Sequence, residues 1–177
     1  MEDARRIVEQ YTPQAYEIAF RLTGNRSAAW DLVQNAMLRV LKSYSTYDPT
    51  YKVEQWLYRI IRNLFIDRLR LEARRREESL DTPLEEGGRT HADTLMDPAP
   101  TPDAVLDRES DRDAVQQALN TLPAEHRMAV ILVDMEGYSY EEAAKMLGLP
   151  ASTLGVHVFR GRNALRKKLL GLKEGKA

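Results

Sequence analysis

The sequence predicts an all-α fold of two small helical domains, residues 1–76 and 109–177, joined by a flexible acidic linker over residues 77–108. Two observations lead to this prediction. Apolar residues recur at helical spacing in both outer parts of the chain. The part between them combines acidic residues with four prolines and few large apolar residues, so it cannot bury enough surface to fold alone.

The composition narrows the class of protein. The chain has 177 residues and no cysteine, which excludes a disulfide framework, thiolate zinc sites and a cysteine nucleophile. No window approaches the roughly 20 apolar residues of a membrane span, and the start MEDARRIVEQ lacks the apolar core of a signal peptide. We therefore expect a soluble, intracellular protein.

Charge divides the chain into three parts. Residues 1–76 hold 14 Lys and Arg against 9 Asp and Glu, a net +5, and residues 112–177 hold 10 against 7, a net +3. Residues 77–111 hold 2 against 11, a net −9. Two basic ends suit a polyanionic partner, and the acidic middle is typical either of a segment that imitates that partner or of a plain solvated linker.

The N-terminal part predicts three helices. Thr12 and Pro13 suit the start of the first, from about 13 to 22, and Gly24 suits its end. The second and third each carry one apolar stripe, which we expect to lie in the core: Ala29, Leu32, Val33, Ala36, Met37, Val40 and Leu41, then Val53, Trp56, Leu57, Ile60, Ile61, Leu64 and Phe65.

The opposite face of the third helix is basic. It presents Arg59, Arg62, Asn63, Arg70 and Arg74, with Tyr51 and Lys52 just before the helix. Such a mixture suits a nucleic acid with exposed bases, because cations follow phosphates while rings stack on unpaired bases. A solvated helix surface explains the pattern equally well, and for Trp56 the core role is favoured over a DNA role.

The C-terminal part predicts a helix over 104–119, another from Pro123 to about Glu136, and then a helix-turn-helix. Ser139 and Glu142 form a capping box at the start of that motif. Its turn glycine is Gly148, and its inward positions hold small or apolar residues: Ala143, Ala144, Leu147, Leu149 and Leu154.

The second helix of the motif, from Ala151 to about Leu170, has an unusual outward face. That face holds Ala151, Ser152, Gly155, Val156 and Phe159. Val156 and Phe159 could contact thymine methyl groups, while Ser152, Thr153 and Arg160 could bind phosphates or base edges. His157 could donate to DNA or simply pack. The basic run at residues 166–168 suits either DNA or the helix dipole.

Three stretches together resemble the extracytoplasmic-function (ECF) sigma factors, group IV of the sigma-70 family. DLVQNAMLRV (31–40) resembles the region-two helix that docks on RNA polymerase. QWLYRIIRNLFIDRLR (55–70) is similar to the helix that melts and reads the minus-ten promoter element. Residues 119–169 resemble the region-four domain that reads the minus-thirty-five element. The resemblance covers nearly the whole chain.

The resemblance implies roles for individual residues. Polymerase binding would fall to Asp31, Leu32, Gln34, Asn35 and Leu38. Minus-ten DNA would be bound by Tyr51, Lys52, Arg59, Arg62, Asn63, Asp67 and Arg70, with the loop at about 44–52 forming part of a pocket for a flipped base. Minus-thirty-five DNA would be bound by Ser152, Thr153, Gly155, Val156, His157, Phe159 and Arg160.

The chain departs from the family pattern at several positions. Trp30 and Asn35 stand where an acidic residue is usual, and Met37 stands where an aromatic residue is usual. Gly155-Val156-His157 replaces a run of Lys or Arg, Ser and Arg on the recognition helix, where Phe159, Arg160 and Arg162 still match. The location of polymerase docking is therefore better supported than its chemistry.

The resemblance also implies the partners, which are core RNA polymerase, promoter DNA as duplex and as melted non-template strand, and an anti-sigma factor. We expect a cytoplasmic protein that does not insert into a membrane, is nucleoid-associated when bound to polymerase, and can be held at the membrane by the anti-sigma factor. No cofactor, metal or catalytic residue is expected, since the sequence has no P-loop and its three histidines lack metal-ligand spacing.

Two other classes of function remain open from the residues alone. A self-sufficient helix-turn-helix regulator would bind duplex DNA by itself, usually as a dimer on spaced half-sites. An enzyme on a helical scaffold would need a pocket of converging polar groups, whereas the carboxylates of this chain are concentrated in the linker. A sigma factor would instead bind promoter DNA appreciably only together with polymerase.

Overall fold

The computed structural model describes residues 2–80 and 103–174; the acidic segment 81–102, most of the predicted linker, lies outside the described residues. All regular elements of the described ranges are helical, as predicted: α1 Glu2–Thr23, α2 Arg26–Ser43, α3 Val53–Leu80, α4 Asp103–Asn120, α5 Ala124–Val130, α6 Tyr140–Leu147 and α7 Ala151–Glu174. A 3-10 turn, Tyr44–Thr46, follows α2, and a π-helical turn, Ile131–Met135, follows α5. Within this part of the chain, no helix combines the length and apolarity needed to cross a membrane.

The helices α1, α2 and α3 pack into a bundle around the predicted stripes. Asn25 caps α2, with its side-chain oxygen accepting from the Ala28 amide at 2.9 Å. Val40 is fully buried, whereas Leu41 is 43% exposed. The core assignment of Leu41 was therefore wrong. Successive side chains on a helix are about 100° apart, so Leu41 points out of the bundle when Val40 points into it.

The predicted start of α1 was also wrong. The helix begins at Glu2 and continues through Pro13, and the Thr12 hydroxyl donates to the carbonyl oxygen of Val8 at 2.5 Å. Ile7 and Ala15, on either side of the proline, are both buried in the same core. Their burial offsets the cost of a proline inside a helix, about 3 kcal/mol.

The end of α1 agrees with the prediction. Gly24 adopts a left-handed backbone with φ of 65°, and its amide donates to the carbonyl oxygen of Phe20 at 2.7 Å. Such a residue ends a helix without the steric cost that a side chain would bring. The chain can therefore turn at once into α2.

The C-terminal domain contains the predicted helix-turn-helix in α6 and α7. Ser139 and Glu142 form the capping box at the start of α6, and Gly148 ends that helix with φ of 64°. Leu154 and Val158 on α7 are buried against the rest of the domain. The inward side of α7 is therefore a core face, and its outward side is exposed.

The two domains pack against each other. The helix α1 contacts both α4 and α5, α3 contacts α6, and the buried residues of both domains form one hydrophobic cluster. Arg127 of α5 donates to the carbonyl oxygen of Leu22 near the end of α1. The chain is therefore in a closed arrangement, although its predicted boundaries separate two domains.

The crossing of α5 and α7 predicts a requirement for glycine at Gly161. A Cβ at this position would lie 2.5 Å from Cγ2 of Val130 and 3.2 Å from the carbonyl oxygen of His126. Gly161→Ala is therefore expected to lower the free energy of unfolding by about 1–3 kcal/mol, measured by denaturant titration.

Gly155→Ala is the matched control on the same helix. A Cβ there would meet nothing within 4 Å. Alanine should therefore raise the free energy of unfolding by up to about 1 kcal/mol through helix propensity. Equal effects of the two substitutions would contradict the close crossing.

Candidate nucleic-acid and protein interfaces

The outer face of α2 carries the residues expected to bind polymerase. Asp31, Gln34, Asn35 and Leu38 are all exposed, and the Asn35 side-chain amide donates to the carbonyl oxygen of Asp31 at 2.9 Å. Leu32 differs, because it lies in the core and only 4% of its surface is exposed. The side chain of Leu32 therefore supports the helix from within, and its role in polymerase binding stays a prediction.

Two apolar side chains extend this face. Trp30 is 48% exposed, with its ring centroid 4.7 Å from that of Tyr16, and Leu41 is 43% exposed. Helical spacing places four side chains along one side of α2: Trp30, Gln34, Leu38 and Leu41. This side of α2 therefore exposes three large apolar side chains together with Gln34.

A cavity of about 340 Å³ lies beside the start of α3. We call it the α3 cavity. Side chains from α2, the following turn, α3 and α6 line it: Arg39, Ser43, Thr46, Asp48, Tyr51, Gln55, Trp56, Arg59, Ile60, Asn63, Lys145 and Met146. Cationic groups, aromatic rings and amides together are the groups that bind single-stranded nucleic acid.

Local contacts shape the aromatic wall of the α3 cavity. The ring centroid of Trp56 lies 4.9 Å from that of Tyr47, whose hydroxyl donates to the carbonyl oxygen of Tyr51 at 2.6 Å. Hydrogen bonds from the Thr50 amide and hydroxyl hold the pKa of Asp48 below its usual value. Trp56 packs against the core and also lines the cavity, so the core interpretation describes only part of its surface.

The structure brings three predicted minus-ten residues to the α3 cavity: Tyr51, Arg59 and Asn63. Four further polar residues there were not among the predicted ones: Arg39, Ser43, Gln55 and Lys145. Arg39 and Lys145 belong to α2 and α6, which approach α3 only in the folded chain. Spacing along the sequence could not have identified them.

The other predicted minus-ten residues lie outside the cavity. The Lys52 ammonium is 3.5 Å from the Glu142 carboxylate. Arg62 is partly buried, with its Nε lacking a hydrogen-bond partner among the described residues. Asp67 and Arg70 pair with each other at 3.7 Å on the exposed side of α3. These groups extend the polar surface along α3 without forming a single site.

The outward face of α7 is exposed as its spacing predicts. Val156 is 46% exposed and Phe159 is 67% exposed, while Ser152 and Arg160 are exposed beside them. Gly155 faces open space, so packing within the domain does not require a glycine there. Between Ser152 and Arg160 the helix therefore presents a mainly apolar surface, with Arg160 at its end as a cation.

His157 and Thr153 lie nearer the interior of α7, where both are partly buried. The ring centroid of His157 is 5.3 Å from that of His126, and its Nδ1 is buried without a hydrogen-bond partner in the described ranges. Burial, and then the neighbouring His157 and Arg160, lower the pKa of His126. This environment favours the packing role for His157 over direct DNA contact.

The described residues do not form a metal-binding cluster. Among residues 2–80 and 103–174, no three His, Asp or Glu side chains converge in a way that could hold a metal ion. The pair formed by His126 and His157 lacks a third ligand, and Arg160 lies close to it.

Two parts of the chain match known families. Residues 7–75 match the family described as Sigma-70 region 2, and residues 112–165 match Sigma-70, region 4. The first match covers the outer face of α2 and most of the α3 cavity. The second covers the recognition helix α7 up to residue 165.

Relatives match along most of the chain. The ECF RNA polymerase sigma factor SigE of Mycolicibacterium smegmatis is 38% identical over 163 residues, which is 92% of this chain. This chain spans only 60% of the length of that relative. The ECF RNA polymerase sigma factor SigW of Bacillus subtilis is 32% identical over 168 residues, covering 94% of this chain and 88% of SigW.

Solved structures share the fold. The sigma factor RpoE from Bartonella quintana, in complex with the anti-sigma factor NepR, is 26% identical with a TM-score of 0.72, over 96% of this chain and 98% of that one. CnrH, in complex with the cytosolic domain of CnrY, has the same fold at 18% identity and a TM-score of 0.60, covering 98% and 89%. The two family matches and the identity to SigW over most of both chains show that this chain belongs to the ECF sigma factors of the sigma-70 family.

Proposed function

We propose that the chain binds core RNA polymerase, recognises the minus-thirty-five and minus-ten promoter elements, melts the DNA and directs transcription of a stress or signal regulon. The main observation that supports this proposal is the α3 cavity, because it brings Trp56, Arg59 and Asn63 together beside a basic helix face. A polymerase subunit without ATP can open DNA only by capturing unstacked bases, whose binding offsets an unstacking cost of roughly a few kcal/mol.

The proposed roles divide along the chain. Residues 1–76 dock on polymerase through the exposed face of α2 and capture the minus-ten strand, and residues 109–177 place α7 in the minus-thirty-five major groove. Residues 77–108 connect the two and thread the polymerase channel, where their negative charge imitates nucleic acid. Val156 and Phe159 are suited to thymine methyl groups, which lie in that groove.

The proposed partners include an anti-sigma factor. RpoE of Bartonella quintana was solved with such a partner, and this chain shares its fold over nearly its full length. The chain itself acts without catalysing a reaction, and it works in the cytoplasm, where polymerase and DNA are found. No observation favours a self-sufficient DNA-binding regulator.

Transcription with purified components tests the proposal directly. Together with core RNA polymerase, the chain should give run-off transcripts from specific members of a promoter library. Templates with a scrambled minus-ten element serve as the control and should give none. If no specific transcript forms and the free chain binds duplex DNA tightly, the chain is a self-sufficient regulator instead.

The docking face on α2 predicts the effect of a double substitution. Asp31→Ala with Gln34→Ala removes two exposed polar groups and should weaken binding to core polymerase by about tenfold or more, since central interface contacts each contribute over ~1 kcal/mol. The free energy of unfolding should change by less than about 0.5 kcal/mol. Binding is measured by fluorescence anisotropy of labelled protein.

Gln10→Ala with Glu17→Ala is the matched control, because both side chains are exposed on α1, outside the docking face. It should leave the affinity for polymerase unchanged. Equal affinities of both double variants for core polymerase would contradict the assignment of the α2 face to polymerase binding.

The open space at Gly155 predicts a change of promoter preference. Gly155→Lys should fold at least as stably as the native chain, because nothing lies within 4 Å of its Cβ and helix propensity improves. A new cation on this face should change the preferred minus-thirty-five bases by about 1–3 kcal/mol per position. The preference is measured by sequencing transcripts from a promoter library. Gly155→Ala is the control and should leave the preferred bases unchanged. Unchanged preferred bases in Gly155→Lys would contradict this orientation of α7.

A further inference from the structure

An ion pair fixes a cation on the exposed surface of α7. The Arg162 guanidinium donates to the Asp134 carboxylate, with Nε 3.0 Å from Oδ2 and Nη2 2.5 Å from Oδ1. The side chains of Arg162 and Asp134 are 52% and 31% exposed. The phenol of Tyr140, the first residue of α6, lies beside the same guanidinium. The pair therefore joins the π-helical turn to α7 near the start of α6.

Both partners of this pair stand on backbone that is buried in the domain. Ile131 and Leu132, which begin the π-helical turn, are fully buried and hold the segment that leads to Asp134. On α7, Gly161 is buried where that helix crosses α5, immediately before Arg162. All these residues belong to the C-terminal domain, so the pair needs no contact with the N-terminal domain.

Arg162 continues the outward face of α7. It follows Phe159 by one helical turn, and Phe159 follows Val156 by one turn, so the three side chains lie along one side of the helix. Phe159 and Val156 are 67% and 46% exposed. Because the first turns of a recognition helix contact base edges, a cation further along that helix is placed nearer to the phosphate backbone.

The shape of the guanidinium allows Arg162 to bind two partners at once. An arginine presents its N–H donors in a planar, rigid fork. The Asp134 carboxylate takes the side formed by Nε and Nη2, so the end of the fork, formed by both terminal nitrogens, still has N–H groups for a phosphate. A side chain that is already held loses less conformational freedom when it binds DNA.

From this arrangement we propose that Asp134 is a positioning residue for DNA recognition, which holds Arg162 with the end of its fork directed at one phosphate of the minus-thirty-five element. The inference rests on the proposed function, since it takes α7 as the reader of that element. An exposed ion pair adds little to folding stability, so orientation of the cation is the main contribution of Asp134.

The proposal predicts a sign opposite to that of simple electrostatics. Removal of an acidic residue beside DNA reduces repulsion from the phosphates and would by itself strengthen binding. Removal of a positioning carboxylate weakens binding instead, because Arg162 must then be ordered when it meets its phosphate. The direction of the change therefore separates the two effects.

Four full-length variants, each combined with core RNA polymerase, test this role. Asp134→Asn keeps the size of the side chain and removes its charge, whereas Asp134→Glu keeps the carboxylate. Arg162→Gln removes the cation itself. Glu141→Gln is the matched control, because it removes a negative charge from an exposed site in the first turn of α6. Denaturant titration measures the stability of every variant.

Binding is measured by anisotropy of a fluorescent promoter duplex, which is first selected by run-off transcription with the native holoenzyme. In a series of duplexes, each phosphate of the minus-thirty-five element is replaced in turn by a neutral methylphosphonate. The phosphate bound by Arg162 is the one whose replacement weakens binding by the native holoenzyme but not by the Arg162→Gln holoenzyme.

Asp134→Asn is expected to bind the unmodified promoter about 2- to 10-fold more weakly and to lose its sensitivity at that same phosphate. Asp134→Glu should restore both properties, and Glu141→Gln should bind at least as tightly as the native chain. Unchanged or tighter binding by Asp134→Asn, a uniform loss across all duplexes, or the absence of a phosphate that depends on Arg162 would overturn the positioning role. A native holoenzyme that selects no promoter would instead reject the proposed function.

Discussion

One largely buried cation, the guanidinium of Arg127, joins the ends of helices from both domains. It donates to the carbonyl oxygen of Leu22, to that of Asn120 at 2.7 Å and to that of Leu122 at 3.2 Å. The carbonyl groups in the last turn of a helix lack intrahelical donors and lie at the negative end of the helix dipole. Burial lowers the pKa of Arg127, yet guanidinium groups remain charged in proteins. One side chain therefore satisfies the ends of α1 and α4, which belong to different domains.

The position of α5 determines where the following turn points its side chains. The π-helical turn, Ile131–Met135, inserts an additional residue per turn, a feature frequent at functional sites. It directs Asp134 toward Arg162 of α7, with Nε–Oδ2 at 3.0 Å, and is followed by Glu136, which meets Arg21. The interface between the domains and the recognition helix are thus anchored on the same short segment.

Local sequence patterns predicted the helices well because each carries its own stripe and end signals, such as the capping box at Ser139. They failed where burial depends on distant residues. Pro13 lies inside α1 because the core continues on both sides of it. Trp56 lies on the apolar stripe but also lines a cavity, whose other walls include Arg39 and Lys145 from separate helices. Some interdomain contacts of the closed state, such as that from Arg127 to Leu22, use backbone carbonyl groups, which every residue has and no sequence pattern marks.

The outward face of α7 combines exposed apolar side chains with few cations between Ser152 and Arg160. Phosphate contacts by cations supply much of the affinity for DNA, whereas contacts to base edges supply specificity. Val156 and Phe159 offer apolar contacts, and Arg162 is already held by Asp134 through bonds of 3.0 and 2.5 Å. Between Ser152 and Arg160 this face therefore contributes few cations, whereas the exposed basic run at residues 166–168 lies near the end of α7. Under the proposed function, the affinity for promoter DNA would come from this face together with the α3 cavity and polymerase.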